Sequence, residues 1–164
     1  MSFFLLLRFL HIASAIWFIG GILARQIVRA YAKRTEDVQR FAIFREAAEQ
    51  LEKTMVIPGS AAVLIFGVIL GLITKAPILG FLQDASHNWL LVSNLMIIAG
   101  ILTIPLIFLP WRKRVDLALE DALARGQMTP KLRAQINDRT VRIAHWFELV
   151  SMAVVVFLMV FKPF

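Results

Sequence analysis

Residues 3–24, FFLLLRFLHIASAIWFIGGILA, decide how the chain is read: an apolar run broken only by Arg8, His11 and Ser14. A helix crosses the hydrocarbon of a bilayer in roughly 17–25 residues, and this run is of that length. So are three others, Met55 to Thr74, Trp89 to Leu109 and Ile143 to Phe161. Hydrophobic residues make up 59% of the 164, above the roughly 45–50% of soluble domains, and they fall in blocks. The expected fold is all-α, an integral membrane four-helix bundle made by residues 1–164 as one domain in the lipid bilayer.

The first run contains Ala13-Ser14-Ala15, a small-residue triplet of the kind cleaved behind signal peptides. No positive charge precedes the run, and apolar sequence continues through Ile22 and Leu23, so it is expected to remain as a span. There is no cysteine, which excludes disulfides, thiolate-held metals and covalent c-type haem attachment.

The net charge of +7 would suggest nucleic acid in a soluble protein. Here the charges lie where topology needs them, and no nucleic-acid partner is expected. Arg25, Arg29, Lys33, Arg34, Arg40, Arg45 and Lys53 separate the first two runs, and Arg112, Lys113, Arg114, Arg125, Lys131, Arg133, Arg139 and Arg142 lie between the third and fourth runs. The middle connection has only Lys75. The positive-inside bias therefore predicts two cytoplasmic connections and both termini outside, in a multi-pass protein of a bacterial inner membrane.

The connection RQIVRAYAKRTEDVQRFAIFREAAEQLEK has no glycine or proline, and Phe41, Phe44, Ala48 and Leu51 recur at helical spacing. It reads as helix prolonged beyond the membrane. The second basic connection breaks at Gly126, after which Thr129 caps a new helix with Pro130 in its first position, running straight into the fourth span. The outer loop, KAPILGFLQDASHN, reads as a surface turn with an interfacial stretch and a polar cluster before Trp89. Mixed charge in the basic connections marks solvated helix faces.

An ionisable side chain at the centre of a spanning helix costs roughly 2.5–3.5 kcal/mol on insertion scales, so each needs a partner, water or a function. Arg8, His11, Asn94, His145 and Glu148 are the main cases. Steps of three and four place Arg8, His11, Ser14, Phe18, Gly21 and Arg25 near one face, while Trp17 points elsewhere, and that polar face is expected to look into the bundle. His11 lies roughly 12 Å below the outer end of its span, near mid-bilayer. Bundle interiors hold cofactors on facing helices, and haem iron commonly takes an imidazole, so His11 is a candidate axial ligand. Arg8, and Arg25 further along, are candidate contacts for haem propionates or an anionic substrate. The competing structural reading makes His11 neutral and bonded to a carbonyl or serine, with Arg8 snorkelling to the headgroups.

His145 is the obvious second metal ligand, but its depth differs from that of His11 by about 14 Å at helical rise. Met152 and Ser93 or Asn94 share the depth of His11, which favours a His/Met or five-coordinate site, with Met152 also serving as core filler. Arg142, His145 and Glu148 repeat every three residues on one face. They suit a proton path, a substrate-carboxylate contact or an interfacial salt-bridge set.

His11, Trp17, Phe18 and Gly20 in HIASAIWFIGG resemble the first-helix pattern of HemJ-type protoporphyrinogen oxidases and of the related CopD copper-resistance membrane proteins. MVIPGSAAVLIFGVILGL resembles the HemJ second helix, with its early proline and later glycine. The ending HWFELVSMAVVVFLMVFKPF is similar to the HemJ fourth helix, where a Phe-Asn-Glu element leads to a terminal Lys-Pro-Phe. In layout the chain also resembles a family of uncharacterised bacterial four-helix integral membrane proteins. The HemJ resemblance implies haem b, a porphyrinogen substrate, His11 as the essential histidine and Glu148 as the fourth-helix glutamate. The third-helix lysine of that family is absent, since the stretch reads NWLLVSNL and places Ser93 or Asn94 there.

The leading expectation is a haem b-binding membrane redox protein. His11 is its axial ligand, Glu148 and Asn94 are its candidate catalytic groups, Met152 lines the site, and a porphyrin or quinone is the partner. The CopD resemblance offers copper transport instead, through Met152, Met159 and His11 as ligands for Cu(I). A third reading is a non-catalytic scaffold whose basic helices hold a partner. Gly67 and Gly71, four apart, suit close helix packing within the bundle or between protomers of a homo-oligomer.

Overall fold

The computed structural model describes residues 3–83 and 88–163; the polar cluster at residues 84–87 of the outer loop lies outside them. The described chain is helical, and four of its helical stretches, Phe3–Arg34, Val38–Ile73, Trp89–Ala124 and Pro130–Phe161, are long and apolar enough to cross a membrane. It divides into two compact units, Met1–Ala76 and Pro77–Phe164. Most large apolar side chains of the spans are exposed, among them Phe9, Ile16, Ile65, Leu106 and Val160. Lipid is the solvent that such surfaces fit.

In the first unit α1 (Phe3–Arg34) carries the first run well past its apolar part. The predicted unbroken helix over residues 25–53 is corrected here: the chain turns at residues 35–37 before α2 (Val38–Leu51) begins. Two spans that return through one bilayer need a reversal, and Asp37 makes it affordable by accepting from the backbone N–H groups of Gln39 and Arg40 at 2.8 and 3.3 Å. The helix then widens into a π-turn, Glu52–Val56, and continues as α3 (Ile57–Ile73).

Pro58 explains the widening. Proline has no N–H for the carbonyl four residues before it, and its ring crowds that carbonyl. The carbonyl in question, on Thr54, instead accepts the indole N–H of Trp17 at 3.4 Å. The Trp17 ring is exposed, off the polar face as expected, and its indole nitrogen still reaches the neighbouring helix.

Glycines set how closely α1 and α3 approach. A Cβ added at Gly21 would sit 2.6 Å from the Met55 Cβ, and one at Gly59 would sit 3.0 Å from the Phe18 Cα. Each helix thus offers a glycine to the other, the small-residue packing that lets helices associate without a hydrophobic driving force.

In the second unit a 3-10 turn, Gly80–Gln83, precedes α4 (Trp89–Thr103). The side-chain amide of Asn94 donates to the Ile78 carbonyl at 3.1 Å, holding the approach to α4. A second π-turn, Ile104–Phe108, leads into α5 (Leu109–Ala124), again at a proline. Pro105 has nothing to give the Ile101 carbonyl, which accepts from Ile104 N–H instead, while Leu109 N–H reaches back to Ile104.

α5 ends where the sequence predicts, at Gly126 with φ of +65°. Thr129 accepts from Leu132 N–H at 3.2 Å, and Pro130 opens α6 (Pro130–Ile136). That helix does not run on into the span, which corrects the sequence reading. Asp138 starts a separate helix, α7 (Arg139–Phe161), by accepting from the N–H groups of Thr140 and Val141 at 2.8 and 3.4 Å. Trp111 ties α5 to α6 through the Gln135 carbonyl at 2.9 Å, and Arg114 meets Asp138 at 3.5 Å.

Candidate functional site

The predicted site residues fall into both units: Arg8, His11 and Arg25 in the first, Asn94, His145, Glu148 and Met152 in the second.

His11 faces α3. Its Nδ1 lies 3.1 Å from the carbonyl oxygen of Val63. A carbonyl only accepts, so the proton belongs on Nδ1 and the lone pair on Nε2. The ring lies against Gly67, where a Cβ would come 3.0 Å from its Cε1. A half-buried imidazole is thus fixed in tautomer by one backbone atom and given room by one missing methyl.

Farther along α1, Arg25 is 3% exposed and forms an ion pair with Glu52, the first residue of the π-turn. The buried cation needs such a partner, while the Glu52 side chain stays 29% exposed. The sequence suggests Arg25 as an anion contact and Glu52 as part of a solvated helix face; the structure pairs the two. Arg8 is exposed, so the polar face of α1 does not turn inward as a whole. Ser14, on the same helix, donates to the Leu10 carbonyl at 2.7 Å.

In the second unit His145 is stacked on Phe108, the last residue of the π-turn, with ring centroids 4.7 Å apart and planes at 21°. Trp111 meets the same imidazole edge-on at 6.3 Å. The His145 Nδ1 is 3.5 Å from Glu148 Oε2. Arg142, expected on the same face, is exposed, and Met152 is half-buried. Asn94 faces its own unit's loop carbonyl rather than an open cavity. Among the described residues no group of three or more His, Asp or Glu is arranged to hold a metal ion.

Sequence reasoning missed Val63, Glu52, Phe108 and Trp111. Glu52 was within reach: once α1 and α3 are antiparallel neighbours, the first cation after one apolar run faces the last anion before the other.

The chain belongs to the family described as predicted integral membrane protein (DUF2269), which matches residues 5–163. No curated protein and no solved structure matches it.

Proposed function

We propose, for this member of a family of integral membrane proteins, a haem b-binding redox role with His11 as axial ligand. The observation that carries the reading is the bond from His11 Nδ1 to the Val63 carbonyl, which leaves the Nε2 lone pair for a metal; the structural alternative has the same bond, and the visible spectrum separates the two. Metal-binding histidines are characteristically held through the second ring nitrogen by a carbonyl or carboxylate, which fixes the tautomer and raises the basicity of the ligating nitrogen. The missing Cβ at Gly67 gives the ring room to lie against α3.

The residues of the first unit fit the group. Arg8, exposed one turn before His11, supplies a planar donor for a propionate. Arg25, paired with Glu52, serves instead to pin the helices that present the histidine. Haem, when bound, supplies one-electron chemistry. The chain's part is ligation, burial and tuning of the potential. The HemJ resemblance supplies the partner class, a lipid-soluble quinone or a porphyrinogen.

The same reading places the two basic connections in the cytoplasm and both termini outside, on the excess of lysine and arginine in those connections.

The test is the visible spectrum of detergent-purified protein from haem-supplemented cells, oxidised and reduced, beside His11→Ala. The expected result is a Soret band with reduced α and β bands, lost in a folded His11→Ala. A wild type that stays colourless after reconstitution with haem overturns the reading, and copper uptake dependent on Met152 would then replace it.

A further inference from the structure

Hydroxyl side chains in the apolar helices nearly all follow one rule. Ser14, Ser60, Ser93 and Thr103 each donate to a backbone carbonyl three or four residues earlier, at 2.7, 2.9, 2.8 and 2.6 Å. That local bond is how serine and threonine are tolerated in a spanning helix. Ser151 breaks the rule. It is 7% exposed, and its Oγ is buried with no hydrogen-bond partner.

A buried hydroxyl left in hydrocarbon costs free energy, and an orphan of this kind calls for an unseen partner such as water. Its position says where water would come from. Ser151 follows Glu148 by three residues and His145 by six; each step of three brings the next side chain beside the last, so the line winds around α7 by about 60° per step. Helical rise puts it about 9 Å beyond His145, toward the middle of the span. The track has a charged entrance, where Asp138 and Arg114 meet at 3.5 Å and Arg142 is exposed. Glu148, its side chain 21% exposed, faces His145 at 3.5 Å and is the acidic group of the line.

We propose that this winding line of α7, from His145 past Glu148 to Ser151, is a hydrated, cation-selective track that admits water and protons from the connection end to Ser151. Water at the Ser151 hydroxyl bridges to Glu148, whose carboxylate and the His145 imidazole are the groups that accept and release a proton along it. Phe108 and Trp111 wall the His145 ring. The inference does not depend on haem.

The absence of native cysteine makes the test clean. Single variants Arg142→Cys, Ser151→Cys and Val150→Cys are reconstituted in proteoliposomes and exposed to water-soluble methanethiosulfonates, one cationic and one anionic. Only a thiolate reacts, and a thiol facing lipid stays protonated and inert. Arg142→Cys marks the fully wet position, and Val150, 54% exposed in the structure, marks lipid. Ser151→Cys is expected to react at least about tenfold faster than Val150→Cys, because its thiol can ionise in water. The cationic reagent should be favoured by about tenfold through the Glu148 charge, and Glu148→Gln should erase that preference. A Ser151→Cys as inert as Val150→Cys overturns the track. Equal rates for the two reagents, or a preference that survives Glu148→Gln, overturns its selectivity.

Discussion

The two units solve one problem in two ways. Each has a helix that must pass a proline and widens at a π-turn, Glu52–Val56 in the first and Ile104–Phe108 in the second. In the first unit the widened turn carries a charge, and Glu52 neutralises the buried Arg25. In the second it carries an aromatic ring, and Phe108 stacks on His145. The histidines differ accordingly. His11 is held by a backbone carbonyl with one nitrogen left over, while His145 is enclosed by rings and faces a carboxylate. The first arrangement suits a fixed ligand and the second suits proton exchange.

The largest expected effect lies at the charged turn. Glu52→Ala removes the carboxylate paired with the buried Arg25 and should cost about 3 kcal/mol, the scale for breaking an ion pair of a buried charge. Thermal unfolding followed by circular dichroism in detergent reads the loss, and a double replacement, Arg25→Met with Glu52→Leu, should recover most of it. A Glu52→Ala variant as stable as wild type would remove the charged turn from the comparison.

Next come the glycines. Gly21→Ala drives a methyl into Met55 and should cost roughly 1–3 kcal/mol, the range for overpacking. Gly100 on α4 has nothing within 4 Å of an added Cβ, so Gly100→Ala should be neutral or stabilising by up to about 1 kcal/mol through helix propensity. The same unfolding measurement compares them, and equal costs would mean that the units do not differ in how closely their helices pack.

The smallest effects belong to the caps. Asp37→Ala and Asp138→Ala should each cost about 1 kcal/mol, since each removes a side-chain acceptor from two backbone donors. Each also releases an arginine, Arg40 at 3.7 Å and Arg114 at 3.5 Å, and Asp138→Ala should cost more than Asp37→Ala because the Asp138 side chain is 21% exposed against 52% for Asp37. Amide exchange at Gln39 and Thr140 reads the local opening, and the reverse order would mean that burial of the cap does not set its cost.

Local signals in the sequence were reliable where a single residue dictates backbone. Apolar run length marks the spans, and Gly126, Thr129 and Pro130 mark the end of one helix and the start of the next. The breaks at residues 35–37 and at Asp138 were missed because periodicity continues across them, and only the need to reverse or redirect the chain forces them. The site was less legible. One extra residue in a π-turn rotates everything beyond it by about 100° relative to an unbroken helix. Faces drawn at steps of three and four therefore cannot place Phe108, at the end of its π-turn, over His145. The face of α1 survived at His11, Phe18, Gly21 and Arg25 because no π-turn interrupts that helix. Val63 was invisible for another reason, since what holds His11 is a backbone carbonyl that any residue at that position would supply.

The central claim is that His11 is held through Nδ1 and offers Nε2. Nitrogen-15 spectra of histidine-labelled protein test it most directly, because the chain has three histidines and His11→Gln assigns the signal. The account predicts a protonated Nδ1 and a bare Nε2 in the haem-free protein, with only the Nε2 signal displaced when haem is added. A His11 that carries its proton on Nε2, or whose spectrum ignores haem, would contradict it.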